Sequence, residues 1–123
     1  MVIAKNIYLV GWLVLGIAIT VGSLIPIEAV PQSVSLLSDK IQHGVAYFCL
    51  GALGWQAATS RAALIIFVSI SLGLGVAIEF LQPLSGRHFE WADMAANSTG
   101  LIIAIILFGS IEYRNTHKSR IKL

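Results

Sequence analysis

The stretch AALIIFVSISLGLGVAIEFL, residues 62–81, carries a single charge, Glu79. An α-helix rises 1.5 Å per residue, so about 20 apolar residues cross the ~30 Å hydrocarbon core of a bilayer. Backbone N–H and C=O groups in lipid must be paired within their own segment, which makes such a run a helix. Three more runs of this kind flank it. Residues 41–58 are apolar apart from Gln42, His43, Gln56 and weakly polar neighbours; residues 94–113 carry only Glu112; residues 7–27 carry no charge. The expected fold is an all-α membrane bundle of four transmembrane helices at about 7–27, 40–58, 62–82 and 92–113, a single domain over 1–123. The short connection Thr59-Ser60-Arg61 makes the second and third helices antiparallel neighbours.

Composition agrees with the runs. The 123 residues are 57% hydrophobic and 11% charged, against ~45–50% and ~25% in soluble domains, and mean hydropathy is +0.85. So few charges cannot cover the surface of a small soluble domain, and a disordered chain would be poor in apolar residues. The first run is too long for a signal-peptide core and lacks a small-residue cleavage site, so it is expected to remain as a span. Cys49 is alone in the sequence, can form no internal disulfide, and is expected to pack as a small hydrophobe.

Cationic residues set the expected orientation. With the N-terminus in the cytoplasm, that side holds Lys5, Arg61, Arg114, Lys118, Arg120 and Lys122, and the other side holds Lys40 and Arg87. Cytoplasmic loops carry the excess of Lys and Arg, so both termini are expected in the cytoplasm. The basic tail, residues 114–122, anchors the last helix and touches anionic lipid; no aromatic pattern accompanies it, and no nucleic-acid partner is expected.

In that orientation the remaining polar residues fall at the outer end. His43 lies four residues into the second helix, Glu79 four residues before Pro83, and Asn97 four residues after Asp93, about 6 Å of helix in each case. His43, Glu79 and Asn97 are therefore expected in one layer, with Asp39, Lys40, Gln82, Arg87, His88, Glu90 and Asp93 above it. Facing gives the same grouping. Asp39, His43 and Tyr47 share a face of helix 2; Gln82, Glu79, Gly75 and Ser71 form a stripe on helix 3; Glu90, Asp93, Asn97 and Gly100 form one on helix 4. Facing lipid would leave these groups unpaired, so one polar pocket walled by helices 2, 3 and 4 is expected.

The same residues resemble a known family. Asp39-Lys40-x-x-His43, then Glu79-x-x-Gln82, then Arg87 with Asp93-x-x-x-Asn97-x-x-Gly100, are similar to the VanZ-like family of small bacterial membrane proteins, named for one linked to teicoplanin resistance. The resemblance runs from about residue 38 to the end of helix 4; Glu90 fills a position often acidic in the family, and Ala104 stands where a second glycine is expected. It implies a bacterial cytoplasmic-membrane location and a role at the cell envelope, and it supplies no reaction.

Each residue also has a structural role open to it. Asp39 is a helix cap, with Gln42 three residues on, and Asp93 flanks the start of helix 4 in the same way. His43 can serve as an interhelical hydrogen-bond donor, and Lys40 can snorkel. Asn97-Ser98-Thr99 matches a glycosylation sequon inside a membrane helix, where it has no meaning. Trp12, Trp55 and Trp91 read as packing or interface anchors, Trp91 best of the three. Glu79 resists a structural role most, since an intramembrane carboxylate costs about 2.5–3.5 kcal/mol at the span centre, and His43 or Arg87 is its expected partner.

Three function classes follow, in order of preference. First, the outward pocket binds or modifies an anionic, lipid-linked envelope component or a glycopeptide. The outward N-termini of helices 2 and 4 and the cations Lys40 and Arg87 suit such a head group, and Asp39, His43, Glu79, Gln82, Glu90, Asp93 and Asn97 complete the ligand-binding set. Lys40 is expected beside Asp39, and Arg87 beside Glu90 and Asp93. Second, the polar layer only fixes helix packing. Third, Glu79, His43 and Asp93 act as acid and base on a head group, or Asp39, His43, Glu79 and Asp93 hold a metal, although their spacing matches no ligand motif. No cofactor signature is present, and membrane lipid is the expected partner. Gly11, Gly16 and Gly22 offer a packing face for a second copy or a partner protein.

Overall fold

The computed structural model describes residues 2–26 and 39–121. Among these the regular elements are all helices, with no strand: α1 (Val2–Leu24), α2 (Asp39–Ala57), α3 (Arg61–Leu81) and α4 (Trp91–Ile121), with a 3-10 turn at Gln82–Ser85 between α3 and α4. Three segments, Ile3–Leu24, Arg61–Ser85 and Trp91–Asn115, are long and apolar enough to cross a membrane. The shorter α2 is more polar, since its first five residues include Asp39, Lys40, Gln42 and His43.

Exposure runs opposite to that of a soluble bundle. Ile7, Val10, Val14 and Ile17 on α1, Ile65, Ile66 and Phe80 on α3, and Ile102 and Ile106 on α4 face outward, whereas His43, Ser71, Glu79, Gln82, Asp93 and Asn97 are buried. In water such an arrangement would forfeit the hydrophobic driving force; in lipid it is the stable one. Cys49 is exposed on α2 rather than packed in the core, because its position falls off the buried face of His43, Tyr47 and Leu50.

Small residues set the helix order. A Cβ at Gly100 of α4 would run into the Gly44 carbonyl of α2 and come within 2.8 Å of the Phe48 nitrogen, and one at Gly51 would lie 3.0 Å from Ala104 Cβ. Helices α2 and α4 therefore run parallel at backbone contact. Ala104, where a second glycine was expected, fits because the glycine stands opposite it on α2. Helix α3 runs antiparallel to α2: Gly54 lies against Phe67, and Gly75 against Tyr47 and Asn97. Helix α1 closes the bundle through Trp12, which meets Phe67 edge to face at 5.0 Å and joins Tyr47, Leu50 and Leu101 in the core. Gly11 and Gly16 face Leu53 and Leu74 of this chain, so of the three glycines assigned to a second copy or a partner protein only Gly22 is open.

Local signals explain the ends. Ser60 is extended, and its hydroxyl accepts the Ala63 N–H at 3.1 Å, capping α3. Pro83 has no N–H to continue α3, so the chain tightens into the 3-10 turn, which Gly86 ends with a left-handed φ of 76°. Helix α1 begins at Val2 rather than 7, with Lys5 reaching the Ala58 carbonyl at 2.6 Å. Helix α4 runs to Ile121 rather than 113, since nothing after Tyr113 breaks a helix and cations near its C-terminus suit the dipole. Helix α1 ends at Leu24 rather than at the expected residue 27: Ile25 and Pro26 are already outside it, and residue 27 itself lies outside the described residues.

Candidate functional site

The nine residues expected to line the site lie at one end of the bundle, where α2 and α4 begin and α3 ends. Asp39, Lys40 and His43 come from the first turns of α2, Glu79 and Gln82 from the end of α3, Arg87 and Glu90 from the connection, and Asp93 and Asn97 from the start of α4. The expected polar stripe on α3 is buried at Ser71, Gly75, Glu79 and Gln82.

Contacts join six of them into one network and Asp39 with Arg87 into a separate pair. His43 Nδ1 meets Asn97 Oδ1 at 2.9 Å, and Nε2 lies 3.7 Å from Asp93 Oδ2. Lys40 pairs with Glu90, and its ammonium is 3.0 Å from Asp93 Oδ1. Arg87 Nη2 donates to both oxygens of Asp39, at 3.2 and 3.3 Å. Glu79 Oε2 accepts the backbone N–H of Glu90 at 3.2 Å. Gln82 instead reaches α1, donating to the Ser23 carbonyl at 3.5 Å, while its own carbonyl accepts the Arg87 N–H.

Three expected pairings change. Lys40 goes to Glu90 and Asp93 and Arg87 to Asp39, the reverse of the expected partners. Adjacent residues on a helix do not face each other, so Asp39 and Lys40 diverge to opposite neighbours. Asp39 engages Arg87 rather than serving only as a cap. Glu79 makes its hydrogen bond to the Glu90 backbone, not to His43 or Arg87. Asp93 belongs to the floor, with 2% of its side chain exposed, whereas Lys40, Asp39 and Glu90 form a rim exposed by 39–46%. His88 is exposed, and so is Trp91, whose ring meets Phe89 at 4.9 Å.

Beneath the rim, Tyr47 Oη, Glu79 Oε1 and Asp93 Oδ1 are buried without a hydrogen-bond partner among the described residues, although Asp93 Oδ1 has the Lys40 ammonium as ionic neighbour. Tyr47 was absent from the expected site; its position four residues after His43 was the signal. Ligand atoms of Asp39, His43 and Asp93 lie within 4.8 Å of one another; Glu79, expected with them as a fourth metal ligand, is not in that group.

The opposite end holds a cavity of about 570 Å³ lined by Lys5, Trp55, Arg61, Glu112 and Tyr113 among others. Nothing in the linear sequence announced it, because its walls come from all four helices and the α2–α3 turn. Comparison with family models, curated proteins and solved structures gives no match to this chain.

Proposed function

We propose that the chain is a VanZ-like, multi-pass protein of the bacterial cytoplasmic membrane that holds the head group of an anionic, lipid-linked envelope component in its polar cluster. In this reading α2 is the fourth span, both termini are cytoplasmic, and the cluster faces the extracytoplasmic side. The observation that carries it is the pair of cations, Lys40 and Arg87, held at one end of the bundle beside the starts of α2 and α4, above a buried Tyr47 hydroxyl that has no hydrogen-bond partner among the described residues. Buried polar atoms are ordinarily paired, so atoms left without partners mark where a ligand or water completes the site. Above them lie ion pairs open to solvent. Such pairs hold weakly, so an incoming phosphate or carboxylate can replace Asp39 on Arg87 or Glu90 on Lys40. Arg87 can then present two parallel N–H groups to it, and the apolar outer faces of the helices accept acyl chains.

The test is lipid retention by the purified protein, read by native mass spectrometry. Wild type is expected to keep anionic over zwitterionic lipid, and Arg87→Lys to lose about tenfold in that preference, the equivalent of one charge-assisted hydrogen bond. Equal retention of both lipid classes, unchanged in Arg87→Lys, would put the packing role in front. That second reading is favoured by one observation: both cations already have partners within the chain.

A further inference from the structure

The polar cluster holds more negative than positive charge. Asp39, Glu79, Glu90 and Asp93 stand against Lys40 and Arg87. Glu79 is fully buried, and its Oε1 has no hydrogen-bond partner among the described residues.

The His43 ring shows where a cation belongs. Asn97 Oδ1 is an acceptor, so His43 Nδ1 must carry the proton it shares at 2.9 Å. The other ring nitrogen, Nε2, faces Asp93 Oδ2 at 3.7 Å. That separation is too long for a hydrogen bond. It is close to the ~3.4 Å that separates two ligands on one tetrahedral zinc, each ~2.1 Å from the ion. Metal-bound histidines are commonly held by an acceptor on the far nitrogen, the part Asn97 plays here. Asp39 supplies the third ligand atom from the same face of α2, one helical turn before His43. Lys40 completes the picture: its ammonium, 3.0 Å from Asp93 Oδ1, supplies a cation on a side chain 39% exposed and able to withdraw.

We propose that Asp39, His43 and Asp93 bind one first-row divalent cation, of which zinc fits best, and that Lys40 is its built-in competitor. An imidazole in the donor set argues against calcium and magnesium, which take oxygen ligands. Three protein ligands leave a fourth position for water or an anionic group. Cation binding goes beyond head-group capture and does not depend on it.

The test uses tag-free, full-length protein in a non-ionic detergent without added lipid, with zinc alone as probe, by equilibrium dialysis and elemental analysis. Wild type is expected to bind one zinc per chain. His43→Gln and Asp93→Asn should each weaken binding about a hundredfold, and Asn97→Ala about tenfold to a hundredfold. Lys40→Met should tighten it about tenfold, a gain that unfolding cannot produce. Absence of zinc from both wild type and Lys40→Met would overturn the site. So would zinc binding unchanged by His43→Gln, or failure of Lys40→Met to tighten it. Head-group retention is measured separately in metal-free buffer, so either result can fail while the other stands.

Discussion

The two ends of the bundle are held by opposite means. At the α2–α3 turn, neighbouring residues satisfy most of one another's groups: Ser60 caps the helix that begins one residue later, and the Ala58 N–H bonds the Gly54 carbonyl. Lys5 of α1 adds one bond from afar, to the Ala58 carbonyl. At the polar end, groups distant in sequence meet, with |i−j| of 54 for His43 and Asn97 and 50 for Lys40 and Glu90. The turn can form before the rest of the fold, whereas the polar end exists only once α2, α3 and α4 have docked. Damage at the first should therefore stay local, and damage at the second should loosen three helices together.

The strongest way to break that contrast lies at the close approach beneath the polar end. Gly100→Ala drives a methyl group into the Gly44 carbonyl, where backbone must move. We expect a loss of about 3 kcal/mol or more, the upper end for overpacking, seen as a fall in melting temperature and lower zinc and lipid binding. Gly22→Ala, in open space, is its control and should melt as wild type. Next comes Glu79→Leu, which leaves the Glu90 N–H without its acceptor and should cost about 1–3 kcal/mol. Glu79→Gln retains an acceptor and should melt within about 1 kcal/mol of wild type while ligand retention falls. Equal loss of stability for both would assign Glu79 to packing. Ser60→Ala should cost about 1 kcal/mol through the lost cap and leave zinc and lipid binding unchanged; altered binding there would show the two ends to be coupled. The smallest effect belongs to sidedness. In a Cys49→Ala background, a cysteine at His88 should react with an impermeant thiol reagent in intact cells and one at Lys118 should not, neither change altering stability. The reverse pattern would turn the polar end toward the cytoplasm.

The polar end was legible in the sequence as far as helical geometry reaches. His43, Glu79 and Asn97 share a depth because each lies four residues from a recognisable helix boundary, and the Ser71–Gly75–Glu79–Gln82 stripe follows from i, i+4 spacing. Pairing was not legible. Lys40 and Arg87 have long side chains whose reach exceeds the spacing of the elements around them, and the course of residues 87–90 decides which carboxylate each meets. The burial of Asp93 was missed because a helix start reads as surface, whereas here α2 packs against it. The far cavity was out of reach, since its walls come from four helices and a turn that lie far apart in the sequence.

Helix α4 has a further consequence, as a ruler. It runs unbroken from Trp91 to Ile121, and the 21 residues from Asp93 to Arg114 measure about 32 Å along its axis, against a hydrocarbon core of ~30 Å. One charged group therefore stands at each end of a length that matches the hydrocarbon core, joined by a rod that cannot stretch. A thinner membrane is met by tilting; a thicker one draws Asp93 or Arg114 toward the acyl chains at a fraction of a kcal/mol per ångström. Hydration of the polar end is thereby tied to the thickness of the lipid around it.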